Sequence, residues 1–140
     1  MIINQISIFL ENKTGQLKEV MSILAKDNID LRAINVAEAQ EYGVIRIIVD
    51  DYELACKTLK EHEYVYRTTP VVVVALKDEV GGLSKLLDAI DEGEFNIEYM
   101  YSIFSQIENR ALMVFKVDDA EKLEKLLISK GYNSVDMGIK

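Results

Sequence analysis

The chain has 140 residues, 49% of them hydrophobic and 29% charged, which is enough apolar material for a sizeable core. Its net charge of −8 repels phosphate backbones and argues against a nucleic-acid partner. The longest apolar run, Val71–Leu76, is too short to cross a bilayer, the single cysteine cannot form an internal disulfide, and the opening Met-Ile-Ile-Asn-Gln has no basic segment, so no membrane partner and a cytoplasmic, reducing location are expected.

Residues 2–10 alternate, with Ile2, Ile6, Ile8 and Leu10 on one face and Gln5 and Ser7 on the other, the pattern of a half-buried strand. Leu17, Val20, Met21 and Leu24 follow helical spacing, which predicts a helix from near Gly15 to Asp27-Asn28. A second strand is expected over 30–40, a turn at Glu41-Tyr42-Gly43 and a third strand over Val44–Asp50, rich in β-branched residues. Asp50-Asp51 offers capping chemistry to a helix over 52–61, and a short strand follows over Tyr64–Thr68.

The same order then returns: strand 70–76, helix 81–92, strands 95–105 and 110–117, helix 119–130 and strand 132–138. The stretch "IFLENKTGQL" from Ile8 matches "VALKDEVGGL" from Val74 at an offset of 66, and Val49-Asp50-Asp51 matches Val117-Asp118-Asp119 at an offset of 68. A two-residue insertion between the second and third strands of the later copy explains the step, because loops absorb insertions readily. The expected class is α+β: two ferredoxin-like βαββαβ units, residues 1–68 and 69–140, each an antiparallel sheet with both helices on one face. The only proline, Pro70, stands at the first residue of a strand, where its missing N–H is tolerated. Val71–Val74 is apolar on both faces and so is expected to be covered on both. That strand and the open sheet edges suggest at least a homodimer.

A βαββαβ unit whose first strand runs into Asn-x-x-Gly-x-Leu and then a helix resembles an ACT domain, the small-molecule-sensing regulatory module of amino-acid metabolism. The family's loop is usually Asn/Asp-x-Pro-Gly-x-Leu/Ala. Here it is Asn12-Lys13-Thr14-Gly15-Gln16-Leu17 and again Asp78-Glu79-Val80-Gly81-Gly82-Leu83. The step into the second strand, Gly-Val/Ile-Asn-Ile in the family, is Asn28-Ile29-Asp30-Leu31 and Glu94-Phe95-Asn96-Ile97. Thr14 and Val80 replace the family's proline, and Asp30 stands where asparagine is common. The chain most resembles stand-alone tandem ACT proteins that carry no catalytic domain.

The resemblance implies a ligand between this loop of one unit and the second-strand start of its partner unit. One site would join Asn12–Leu17 to Asn96, Ile97, Glu98 and Tyr99. A second, weaker one would join Asp78, Gly81, Gly82 and Leu83 to Asp30 and Leu31, with Arg32 and Ala33 beyond. Glycine permits a tight turn, and the helix that follows presents N–H groups to a carboxylate. The first site is preferred because it has an amide at each end, whereas Asp78 and Asp30 would repel a carboxylate. Glu98, with Glu38 as a further candidate, would suit a ligand that donates a hydrogen bond, such as histidine. A purely structural alternative stands beside this: Asn12 and Thr14 as an Asx turn and an N-cap, with Gly15 and Gly81 serving strand-to-helix geometry.

Cys56 sits on a helix and reads as core, and His62, between Glu61 and Glu63, reads as surface. A lone histidine and a lone cysteine cannot build the usual nitrogen and sulfur metal cluster, and Gly81-Gly82 lacks the lysine of a phosphate loop. The expectation is therefore a regulatory protein that binds a free amino acid, not an enzyme, with no cofactor and no metal. The alternatives are a regulatory small subunit acting on a catalytic partner and a ligand-free dimerisation module.

Overall fold

The structure, a computed structural model, describes residues 2–11, 13–38, 42–103, 107–133 and 136–139. The elements in chain order are β1 (Ile2–Glu11), α1 (Gln16–Lys26), β2 (Leu31–Glu38), β3 (Tyr42–Val49), α2 (Tyr52–Glu61), β4 (Val65–Lys77), α3 (Gly82–Glu92), β5 (Ile97–Ile103), β6 (Arg110–Val117) and α4 (Ala120–Ser129). The duplication is visible in their starts. α1 and α3 begin at Gln16 and Gly82, 66 residues apart, and α2 and α4 begin at Tyr52 and Ala120, 68 apart.

Two compact units result. One comprises Asn4–Thr69 with Met137–Lys140, the other Met1–Ile3 with Pro70–Asp136. In the first, β3 lies antiparallel between β1 and β2. The register Ile6↔Ile47 and Ile8↔Ile45 stacks these side chains on one face, where Val20 and Leu24 of α1 and Ala55 and Leu59 of α2 close over them. In the second, β6 lies between β4 and β5, and Val72↔Phe115 and Val74↔Met113 face Leu86 and Ile90 of α3 and Leu123 and Leu127 of α4. Burying each such side chain fully contributes about 1.5–3 kcal/mol, so one apolar face per sheet suffices to hold both helices. The class is α+β with two ferredoxin-like units, as expected.

Four local expectations differ. Tyr42 and Gly43, read as part of a turn, open β3 instead, because they pair with Glu11 and Leu10 of β1 and extend the ladder. The strands read over 64–68 and 70–76 are one 13-residue strand, β4, because exposed Pro70 removes only an N–H and its fixed φ suits extended backbone. The final strand read over 132–138 does not form among its described residues. Gly131 and Gly138 adopt left-handed φ, and Asn133 and Asp136 favour turns. β1 is buried on both faces rather than one: Gln5 and Ser7 are buried along with Ile6 and Ile8, and the Gln5 amide donates to Ser7 Oγ at 3.4 Å. Val71–Val74 are all buried, in line with cover on both faces.

The readings of 39–41, 104–105 and 134–135 lie outside the described residues, as does Asn12.

Candidate ligand-binding loops

The four helices among the described residues start in two ways. α2 and α4 are capped by aspartate: Asp51 accepts from Leu54 N and Asp119 from Lys122 N, each at 3.1 Å. α1 and α3, the helices that follow the duplicated loop, have no side-chain cap hydrogen bond. Their N-cap positions are Gly15 and Gly81, in the left-handed region at φ 87° and 83°. A Cβ added at either would meet nothing within 4 Å, so the backbone angle, not close packing, selects glycine there. Thr14 is therefore not the N-cap, and the purely structural account of this loop loses its cap. What remains, twice, is a helix start with no side-chain acceptor among the described residues, its first N–H donating to a loop carbonyl instead: Gln16 N to Lys13 O at 3.4 Å and Gly82 N to Glu79 O at 3.0 Å.

Gly82 is glycine for another reason. A Cβ there would fall 2.6 Å from the Lys77 carbonyl oxygen, so the second loop closes on the end of β4 in a way that the first copy, with Gln16 at this position, does not.

Around the first loop, Lys13 ion-pairs with Glu11, which lowers the Glu11 pKa and raises that of Lys13. Thr14 is exposed and Gln16 half-buried, and Leu17 is 42% exposed at the first turn of α1. Its counterpart Leu83 is 38% exposed at the first turn of α3. Apolar side chains left open beside uncapped N–H groups give both helix starts an amphiphilic surface.

The second-strand starts are also built alike. Asp50 Oδ1 accepts from Asp30 N at 2.9 Å, and Asp118 Oδ1 accepts from Asn96 N at 3.4 Å. Each Asp-Asp pair thus divides its work: the first residue ties down the entry to β2 or β5, and the second caps the helix. Asp30 pairs with the Arg32 guanidinium at 3.0 Å, so a carboxylate repulsion argued from Asp30 alone ignored an adjacent cation. The Arg32 Nε is buried without a hydrogen-bond partner. Glu98 pairs with Lys116 on the neighbouring strand at 2.7 Å, so the acceptor assigned to a ligand is already engaged within its own unit. Asn96 is exposed, and Ile97 and Tyr99 are half-buried.

In the unit that contains α3, an open cavity of about 670 Å³ lies beside the second loop. Ala75–Lys77 of β4, Glu79 and Gly82 of the loop, Lys85 of α3 and Arg110 of β6 line it, together with Tyr132, Asn133 and Asp136 beyond α4. Its size is that of a small-molecule pocket. Of the residues assigned from sequence only Gly82 lines it, while Asp78, Gly81 and Leu83 do not. Lys85, Arg110, Tyr132, Asn133 and Asp136 were missed because they come from three separate elements, and the segment after α4 that supplies the last three read as a strand. Among the described residues no group of three or more His, Cys, Asp or Glu is placed to hold a metal ion. Among the described residues no helix is long and apolar enough to cross a membrane. Cys56 packs half-buried against the first core, where burial raises its pKa, and His62 is exposed.

A duplicated βαββαβ fold whose repeated feature is an uncapped, glycine-led helix start defines a class of small regulatory domain pairs. The family described as "ACT domain pair" matches residues 1–137, and the chain belongs to it. A crystal structure of a protein from Bacteroides thetaiotaomicron is similar at 37% identity and a TM-score of 0.90, covering 99% of this chain and 94% of that one. The regulatory subunit of aspartate kinase from Thermus thermophilus, in a ligand-free form, shares the fold at 16% identity and a TM-score of 0.64, over 90% of this chain and 91% of that one. The regulatory subunit of aspartate kinase from Thermus flavus does so at 14% identity and a TM-score of 0.57, over 92% and 94%. Comparison with curated proteins gives no match.

Proposed function

We propose that this chain is a non-enzymatic regulatory protein that binds a free amino acid through its duplicated loops. The observation that carries the proposal is the difference between helix starts. Two carry aspartate caps and two, at the duplicated loop, have no side-chain cap behind a left-handed glycine, only the first N–H being taken up by a loop carbonyl. An open helix N-terminus favours a carboxylate, and exposed Leu17 and Leu83 offer apolar contact to the rest of a ligand.

The finer assignment keeps the loop of one ACT unit with the second-strand start of another: Asn12–Leu17 with Asn96–Tyr99, and Asp78, Gly81, Gly82 and Leu83 with Asp30 and Leu31. The Arg32 charge beside Asp30 and the cavity beside Gly82 both support giving the second loop more weight than its acidic residues suggest. Engagement of Glu98 by Lys116 removes the reason for preferring histidine as the ligand. Binding would regulate by linkage, shifting a conformational or assembly equilibrium by no more than the ligand's differential affinity for the two states.

Equilibrium dialysis of the full chain against single amino acids, with Asn12→Ala and Gly81→Leu variants, tests this. At least one amino acid binds the native chain, and a variant weakens it roughly tenfold or more, equivalent to about 1.4 kcal/mol. Unchanged affinity in both variants would move the site off the loops.

A further inference from the structure

We propose that the cavity beside the second loop binds an acidic amino acid, with Lys77 and Arg110 holding its side-chain carboxylate. The inference rests on the amino-acid reading above and names the class of ligand. Lys77 and Arg110 stand directly opposite each other where β4 pairs with β6. Like charges so placed repel, and neither side chain has an ion pair among the described residues. Both line the cavity of about 670 Å³. A like-charged pair of cations on the wall of a cavity of small-molecule size is a place for an anion.

The duplication supplies a control inside the same molecule. The positions that correspond to Lys77 and Lys85, at an offset of 66, are Glu11 and Glu19, and the one that corresponds to Arg110, at an offset of 68, is Tyr42. Glu11 and Tyr42 keep the register, opposite each other on β1 and β3, so the ladder is the same and only the charge differs. The side chains of the first copy also engage one another. The Phe9 and Tyr42 rings have centroids 6.3 Å apart, Lys13 pairs with Glu11, and the Tyr64 hydroxyl donates to Glu19. Tyr132, which lines the cavity, is the counterpart of Tyr64, but Lys85 stands where that acceptor would be, and a lysine accepts nothing.

The mixture of charges selects the ligand. Glu79 and Asp136 line the same cavity as Lys77, Lys85 and Arg110, with Glu79 and Lys85 paired at 4.0 Å. Cations therefore outnumber carboxylates by one on this wall, in a chain whose net charge is −8. A phosphate dianion would meet the carboxylates as well as the cations. An acidic amino acid brings two carboxylates and one ammonium, so each of its charges finds an opposite on the wall. Asparagine and glutamine have nearly the same shape without the second carboxylate, which makes them the discriminating comparison.

Isothermal titration calorimetry of the full chain with L-aspartate, L-glutamate, L-asparagine and L-glutamine tests the proposal. One of the acids should bind at least tenfold more tightly than its own amide, a comparison that needs no variant. Lys77→Gln and Arg110→Gln should each weaken that acid tenfold or more without lowering the melting midpoint of the ligand-free chain, because each removes a repulsion. Tyr42→Phe, at the matching position of the first copy, should leave the affinity unchanged. Amides that bind as tightly as the acids, or an acid whose affinity survives both glutamine substitutions, would overturn the inference and leave the loop reading standing. Binding of neutral or basic amino acids alone, in dialysis against all twenty, would do the same. No binding by any of the twenty would overturn both.

Discussion

At the scale of single residues, glycine does two different jobs within one dipeptide. Gly81 is required by its φ of 83°, and Gly82 by the Lys77 carbonyl that a Cβ would reach at 2.6 Å. Gly81→Ala should cost about 1–2 kcal/mol, the penalty for a left-handed L-residue. Gly82→Ala should cost more than Gly81→Ala, because a backbone oxygen cannot step aside as a side chain can. Urea unfolding of the two variants gives the ranking. Tyr64 offers a test by pH. Its hydroxyl donates to Glu19 Oε1 at 2.6 Å, and burial first, then the Glu19 hydrogen bond and charge, push its pKa up to about 12. An unfolded tyrosine titrates near about 10. The folded chain holds this proton more tightly, so the contribution is complete below about pH 10 and is lost as pH rises through about 12. Tyr64→Phe should cost roughly 0.5–1 kcal/mol at neutral pH and flatten the loss of stability above about pH 10, as read by denaturant midpoints across that range.

At the scale of elements, the spacing of Leu17, Val20, Met21 and Leu24 and of their counterparts was enough to place α1 and α3, because it leaves no other period. The aspartate caps were legible too: Asp51 and Asp119 stand directly before apolar helical runs and accept where expected. Replacing either with alanine should cost about 1 kcal/mol, and circular dichroism melts of Asp51→Ala and Asp119→Ala should show similar losses. Strands were harder to read. The polarity of Gln5 and Ser7 suggested a solvent face, but residue type reports what a side chain is and not what covers it. Pro70 was read as a strand start because proline interrupts ladders, yet the chain runs extended through it. The segment after α4 had strand-like apolar residues, but its glycines turn it instead, and with it came three walls of the cavity that no spacing could reveal.

At the scale of the whole molecule, the internal repeat was the strongest signal, and it identified the fold twice over. What the repeat concealed is where its two copies differ. Lys116 engages Glu98, Arg32 pairs with Asp30, and Gly82 replaces Gln16, so two copies that look alike in sequence differ in charge pairing at their second-strand starts and in packing at their loops. The exchange of chain ends was also hidden: Ile2 is apolar in either case, but it packs on the core around Phe115 and donates its backbone N–H to Glu124 at 3.0 Å. The central claim is that the molecule as a whole is a receptor for a free amino acid. Thermal unfolding of the full chain with each of the twenty amino acids in turn tests it most directly. A ligand at a hundredfold excess over its Kd stabilises by about 2.7 kcal/mol, and at roughly 2–4 °C or more per kcal/mol this raises the midpoint by several degrees. The account predicts that one or two amino acids do so and that Asn12→Ala or Gly81→Leu reduces the shift. Twenty flat traces from protein whose denatured supernatant holds no small molecule would contradict it.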